Sequence, residues 1–405
     1  MSNRPISTSF SPNFERDDVV LATKLLFNMI PSELLVGSTD KLKDEIKKIF
    51  PSSEVSLFSS GRAALYHSLK AMEFTSGDEV LLQAFTCVAV PNAVLWNGLR
   101  PIFVDCDNDY NLNVEDLENK ITPRSKAIIV QHTFGIPANI EKILLLAKKH
   151  GLVVIEDCAH ALGVEHNGKA LGSFGDVAIL SFGRDKIISS VFGGAAISKS
   201  PEMAKKILMM EGKLQPAPRF FTIQQLLYLI IYAMSLPVYT LGFGKIILSL
   251  SRMFGLLSRA VYKEEWSGSM PSFIQYSFPQ ELSFLALQQW NKLDGFKAHR
   301  LEISSYYIDA LKLSLAPKPY LRIPFLVKNK TTFLEGAKHK GLHLGNWYRG
   351  AVDPTGSDLK QLGYQPCQNA ENLALHTINL PTHTNISMAD AKEIVLYIQQ
   401  QIKTQ

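Results

Sequence analysis

Three clusters of residues have types and spacing that suit chemistry. The first closes an apolar run: Ile155-Glu156-Asp157-Cys158-Ala159-His160-Ala161. An Asp at a strand terminus can cap the helix that follows. It can equally face a cationic ring nitrogen and keep it protonated. The second is Ser181-Phe182-Gly183-Arg184-Asp185-Lys186, again after an apolar run. Most lysines in such places are surface residues. In a shielded site the amine loses its proton more easily and can attack a carbonyl. Ser181 offers a hydroxyl to a phosphate, and Gly193-Gly194 permits a close backbone approach or an ordinary turn. The third is Ser59-Ser60-Gly61-Arg62-Ala63, where small residues lead into a helix. Backbone N–H groups at a helix start hold phosphate, although a plain Ser60 N-cap explains the same residues.

These residues need elements to carry them. From about 55 to 200, short apolar runs alternate with helical patterns. The runs are Val80–Leu82, Pro101–Val104, Ala127–Val130, Val153–Ile155 and Val177–Leu180, and the helical stretches include Ala63–Met72, Ala89–Trp96 and Ile140–His150. The alternation predicts a mostly parallel sheet covered on both faces, with its ligand site at the carboxyl ends of the strands. The candidate residues fall at those ends. Further helices are expected over Asp40–Phe50, Gln280–Asp294, Ala298–Leu313 and Met388–Lys403.

The chain has 405 residues, enough for two domains. We read a large domain over 1–212, an apolar helical insertion over 213–275 and a small C-terminal α+β domain over 276–405. Hydrophobic residues make up 46% and the net charge is +5 with no long basic block, so no nucleic-acid partner is expected. The four cysteines form no CxxC pair, so neither a disulfide framework nor a metal site is expected, and a reducing compartment fits. The N-terminus has no apolar core of the secretory kind, and cytoplasmic residence is the expectation.

Taken together, the stretches SSGRAAL, FTCVAVPNAVLWNGLRPIFVDCD, VIEDCAHALG, SFGRDKIISSVFGGAAIS and HTINLPTHTNISMADAKEIV resemble the DegT/DnrJ/StrS-type sugar aminotransferases. These are pyridoxal-phosphate (PLP) enzymes of fold type I. The resemblance covers roughly 36–210 well and 280–405 more loosely. It implies that Lys186 is the Schiff-base lysine and proton carrier, that Asp157 pairs with the pyridine nitrogen, and that His160 lies beside the ring. It further implies that Ser181, Ser60, Gly61 and Arg62 hold the phosphate, with Arg62 standing where Thr is commoner. It implies a glutamate donor, a nucleotide-linked keto-sugar acceptor and a homodimer. The related sugar dehydratases usually carry His in place of the lysine, so Lys186 favours transamination.

The sequence departs from this family in three places. Cys87 stands where an aromatic residue usually stacks on the cofactor, with Phe85 as a neighbour that could reach it. Tyr276-Ser277-Phe278-Pro279 replaces an Asn-Tyr-Arg motif that reaches the partner's site. The span from Gly194 to Tyr276 is about twice the usual length. Much of it is uncharged: Phe220–Gly244 carries no charge, Ile246–Leu257 carries Arg252 alone, and Lys213, Arg219, Lys245, Arg259 and Lys263 flank these runs. Gln224, Gln225 and Pro237 break the apolar pattern. An in-plane or re-entrant hairpin on a membrane over 220–257 is expected, with a buried helical hairpin as the alternative. A lipid-linked acceptor would suit the first. His132 and the Asn346-Trp347-Tyr348-Arg349 run are either site residues or core. A non-catalytic membrane scaffold of the same fold, or an aminotransferase for a non-sugar ketone, are the competing functions.

Overall fold

The computed structural model describes residues 5–9 and 13–403. Seven strands form the central sheet: β1 (Glu54–Phe58), β2 (Glu79–Gln83), β3 (Arg100–Val104), β4 (Ser125–Gln131), β5 (Val153–Asp157), β6 (Val177–Ser181) and β7 (Gly194–Ser198). Their order is β1-β7-β6-β5-β4-β2-β3. Pairing is parallel throughout except for β7, which runs antiparallel to both β6 and β1. The strands are rich in Val, Ile and Leu because helices cover both faces. The five apolar runs lie inside β2 to β6. β1 has Ser56 between its apolar residues and β7 reads Gly-Ala-Ala-Ile-Ser, so neither carries a run of large apolar residues, and sequence reading passed over both.

Helices follow in chain order: α1 (Arg16–Leu26), α2 (Ser38–Ile49), α3 (Gly61–Ala71), α4 (Ala89–Leu95), α5 (Ile140–His150), α6 (Arg219–Ser235), α7 (Phe243–Met253), α8 (Gln280–Trp290), α9 (Leu293–Leu311) and α10 (Met388–Lys403). Ser60 starts α3 by accepting the Ala63 N–H at 3.1 Å, and Gly151 ends α5 in the left-handed conformation that glycine adopts without strain. The break between α8 and α9 falls at Asn291-Lys292, ahead of the expected one. There the Lys292 amine bonds Glu15, Asp17 and Asp18 at the start of α1. In the C-terminal part, β8 (Arg322–Leu326) pairs antiparallel with β9 (Thr377–Pro381), and α9 packs on α10.

The insertion divides into two halves with different environments. Arg219–Val238 is long and apolar enough to cross a membrane, yet 56% of it is buried inside the fold. α6 packs along α1, burying Phe221, Leu226, Tyr228, Leu229 and Tyr232. A little over half of the apolar run of α6 is thus covered by the rest of the chain, while Phe220 and Met234 stay exposed. α7 behaves differently and leaves an apolar face outward.

The sheet meets α3 at a point of very close approach. A Cβ on Gly194 would lie 2.4 Å from the Gly61 nitrogen and 2.6 Å from its Cα. Both obstacles are backbone and cannot rotate aside. Gly194→Ala is therefore expected to lose about 3 kcal/mol of stability, read by denaturant unfolding. An unchanged midpoint would contradict this packing.

Candidate active site

Asp157 ends β5, Ser181 ends β6, and Gln131 ends β4, so three neighbouring strands deliver polar side chains to one rim. They open into a cavity of about 590 Å³ that is also lined by Ser60, Gly61, Cys87, His160 and Lys186. All eight residues singled out from sequence therefore stand around one space, Arg62 included.

Lys186 lies beyond β6 in a turn closed by its own N–H on the Gly183 carbonyl at 3.1 Å. Its carbonyl accepts a hydrogen bond from Asn13. The amine nitrogen lies 5.2 Å from the centre of the Trp347 ring. Burial lowers its pKa to about 8, against the opposing pull of Asp157. Burial pushes the Asp157 carboxyl up, and one of its oxygens accepts the Ala159 N–H at 3.0 Å. His160 is held well below the usual histidine range by burial, with Lys186 and Arg322 adding to the effect, so it is neutral. Its Nδ1 accepts the Phe134 N–H at 3.2 Å, which places the proton on Nε2. The ring is stacked between Phe134 at 6.0 Å and Trp347 at 5.4 Å.

Ser60, Gly61 and Ser181 form a tight concavity. A Cβ on Gly61 would come within 2.9 Å of the Ser181 Cβ. The Arg62 side chain does something the sequence did not suggest. Its guanidinium bonds Glu265 and the Ala260 carbonyl, both from the insertion, and lies 5.4 Å over the Phe273 ring. Arg184 is also tied to the insertion, donating to the Ser258 carbonyl and hydroxyl at 2.8 Å each.

Cys87 lies on the wall, and burial raises its thiol pKa to about 11. Phe85 does not reach the cavity. It is fully buried, 5.2 Å from Tyr348 and 6.2 Å from Phe134. The aromatic walls are instead Trp347 and Tyr348. Tyr348 is brought beside Cys87 by the parallel pairing of Thr86–Cys87 with Val352–Asp353. The Arg322 guanidinium carbon lies 3.6 Å from the centre of the Trp347 ring, with one nitrogen 3.9 Å from Asp185. His132 is a packed residue. It bonds Glu156 at 3.1 Å, and Glu156 also accepts the Gly172, Phe174 and Gly175 amides. The Tyr276–Pro279 stretch is packed within the chain, with Phe278 against Gly193 and Phe182.

Sequence reasoning missed the outer wall. Tyr228, Tyr232, Arg252, Ser258, Arg259 and Trp266 all come from the insertion. The apolar composition of 220–257 gave no sign that it borders a polar site.

The sheet, its one antiparallel strand and this rim are the architecture of the fold-type I PLP transferases. Residues 37–219 match the model of the DegT/DnrJ/EryC1/StrS aminotransferase family. A UDP-N-acetyl-3-dehydro-α-D-glucosamine 3-aminotransferase of Acidithiobacillus ferrooxidans is 44% identical over 150 residues, 36% of this chain and 41% of that protein. The chain spans less than half the length of the curated relatives it matches. The structure of Helicobacter pylori PseC, an aminotransferase of pseudaminic acid biosynthesis, superposes with a TM-score of 0.76 at 20% identity, covering 99% of this chain and 100% of that one. A Streptococcus pneumoniae structure in its PLP form gives 0.72 at 19% identity, covering 97% and 96%.

The Arg62–Glu265 pair is nearly dry, with side-chain exposures of 13% and 0%. Glu265→Gln leaves a buried cation without its carboxylate and is expected to cost about 3 kcal/mol in denaturant unfolding. A loss below 1 kcal/mol would mean the pair does not fasten the insertion.

Proposed function

We propose that this protein is a PLP-dependent aminotransferase that moves an amino group from glutamate to a keto-sugar carried on a diphosphate. The observation that carries the reading is a buried amine and a buried carboxylate facing one cavity beside a cradle too tight for any Cβ. The donor set fits the cofactor. Lys186 suits its aldehyde, Asp157 its ring nitrogen, and Ser60, Gly61 and Ser181 its phosphate. When bound, the cofactor supplies a carbonyl and a ring that takes up the electrons of a carbanion.

The chain's own residues do the rest. Lys186, about half neutral at pH 8, provides the attacking amine and then carries a proton to and from the substrate carbon. Asp157 keeps the ring nitrogen protonated; a cation there reverses the cost of burying the carboxylate. His160 would offer its Nε2–H as a hydrogen-bond donor beside the ring, keeping its proton. Trp347 and Tyr348 provide the flat apolar surfaces that Cys87 cannot. The α3 N-terminus and two serines bind the phosphate. We also propose a homodimer, from the family resemblance.

We further propose a cytoplasmic enzyme held peripherally on the membrane. The contact is narrower than the sequence suggested, because a little over half of the apolar run of α6 is covered and α7 carries more of the exposed apolar residues.

Purified protein with added PLP is expected to show a visible absorbance band that glutamate bleaches, and Lys186→Ala to lose that response. A colourless protein that retains no PLP would favour the scaffold function. The rate of PLP capture should follow the neutral fraction of Lys186. It should fall about tenfold per pH unit below pH 8 and level off above it. A flat profile between about pH 6.5 and 9 would contradict a desolvated amine. In flotation with phosphatidylglycerol vesicles the protein is expected to rise, and the exposed-face variant Ile246→Asp/Leu250→Asp to remain below. Wild-type protein left in the aqueous fraction would refute membrane contact.

A further inference from the structure

Helix α7 presents an unusual face. It turns Gly244, Leu248 and Ser251 inward. Outward it shows Phe243, Ile246, Leu250 and Met253, and Phe254 follows, all of them exposed. A surface helix ordinarily carries polar side chains on that side. From Arg219 to Lys263 the chain contains five basic residues and no Asp or Glu. A second copy of the same face would set cations against cations. An anionic bilayer complements both the apolar stripe and its basic margins.

The stripe adjoins the active-site cavity. Arg252 belongs to α7 and also lines the cavity, and Arg259 continues the same wall. Arg184, deeper in, makes its hydrogen bonds to Ser258, a neutral residue, and lies 4.6 Å over the Tyr228 ring. The indole nitrogen of Trp266, another wall residue, is buried without a hydrogen-bond partner among the described residues. Three cations and an unused donor thus line the wall that ends at an apolar surface. A buried donor left unpaired is costly, and an anionic oxygen would satisfy it.

We propose that the acceptor is a keto-sugar joined through a diphosphate to a polyisoprenoid lipid. The sugar reaches Lys186, the diphosphate lies among Arg184, Arg252, Arg259 and Trp266, and the lipid leaves over α7 into the bilayer. This rests on the aminotransferase reading above. The insertion is then a carrier-recognition element built into the site, and Arg62 and Arg184 are the clamps that hold it there.

The test uses PLP-loaded full-length protein and three soluble probes: farnesyl diphosphate, uridine diphosphate and inorganic diphosphate. Binding is read by tryptophan fluorescence, and glutamate bleaching is recorded on the same preparation. Farnesyl diphosphate is expected to bind at least about tenfold tighter than either other probe. Ile246→Asp/Leu250→Asp is expected to erase that preference, and Arg252→Ala/Arg259→Ala to weaken all three probes about tenfold. Protein that responds to glutamate but binds uridine diphosphate as tightly or tighter overturns the lipid acceptor alone. Conversion of a dimer to a monomer by Ile246→Asp/Leu250→Asp would assign the stripe to a subunit interface and overturn it too. Protein that does not respond to glutamate overturns the aminotransferase reading, and the inference falls with it.

Discussion

The Lys186 amine sits where its charge is expensive. Burial brings its pKa to about 8, and the surrounding groups are arranged around that cost. Asp157 offsets part of it. Arg322 and the walls of the cavity add to it, while the Trp347 ring lies near both cations, 5.2 Å from the amine and 3.6 Å from the guanidinium carbon. His160 is neutral for the same reason that Lys186 is easily deprotonated. An aldehyde brought to this amine would meet a nucleophile at a pH where a surface lysine is almost wholly protonated. The carboxyl ends of β4, β5 and β6 matter because they bring these groups together with little slack.

Enclosing that amine requires an outer wall, and the insertion provides it. Beside the apolar packing of α6 on α1, polar and buried contacts tie it to the rim of the site. Glu265 engages Arg62, Ser258 engages Arg184, and the Asn92 amide donates to the Glu265 carbonyl at 2.8 Å. Just beyond, the Phe273 and Ile274 carbonyls receive Ser59 and His67. Such contacts cost free energy if half broken, so the wall and the Ser60–Arg62 turn are expected to stay together. Arg62 links the turn at the start of α3 to the insertion through Glu265 and the Ala260 carbonyl.

Local patterns exposed most of the inner site. Strand–helix alternation located β2 to β6, and the order Ser60, Asp157, Ser181, Lys186 held the rim residues together. Ile140–His150 and Met388–Lys403 were legible as helices because their apolar spacing and end signals agree. The outer wall was not legible. An uncharged helix reads the same whether lipid or α1 covers it, and the packing of Phe221 and Tyr228 decides that from far away in sequence. The Arg62–Glu265 pair spans 203 positions and leaves no local trace. Phe85 stands two residues before Cys87 and could have shared its face in a regular strand, but its backbone adopts a positive φ of 61° and the ring turns into the core.

The most direct test of this account is covalent. The protein would be incubated with PLP, reduced with borohydride, digested, and its peptides weighed. The account predicts that a phosphopyridoxyl mass appears on the peptide containing Lys186 at one equivalent per chain. Labelling confined to other lysines, with the Lys186 peptide unmodified, would contradict it.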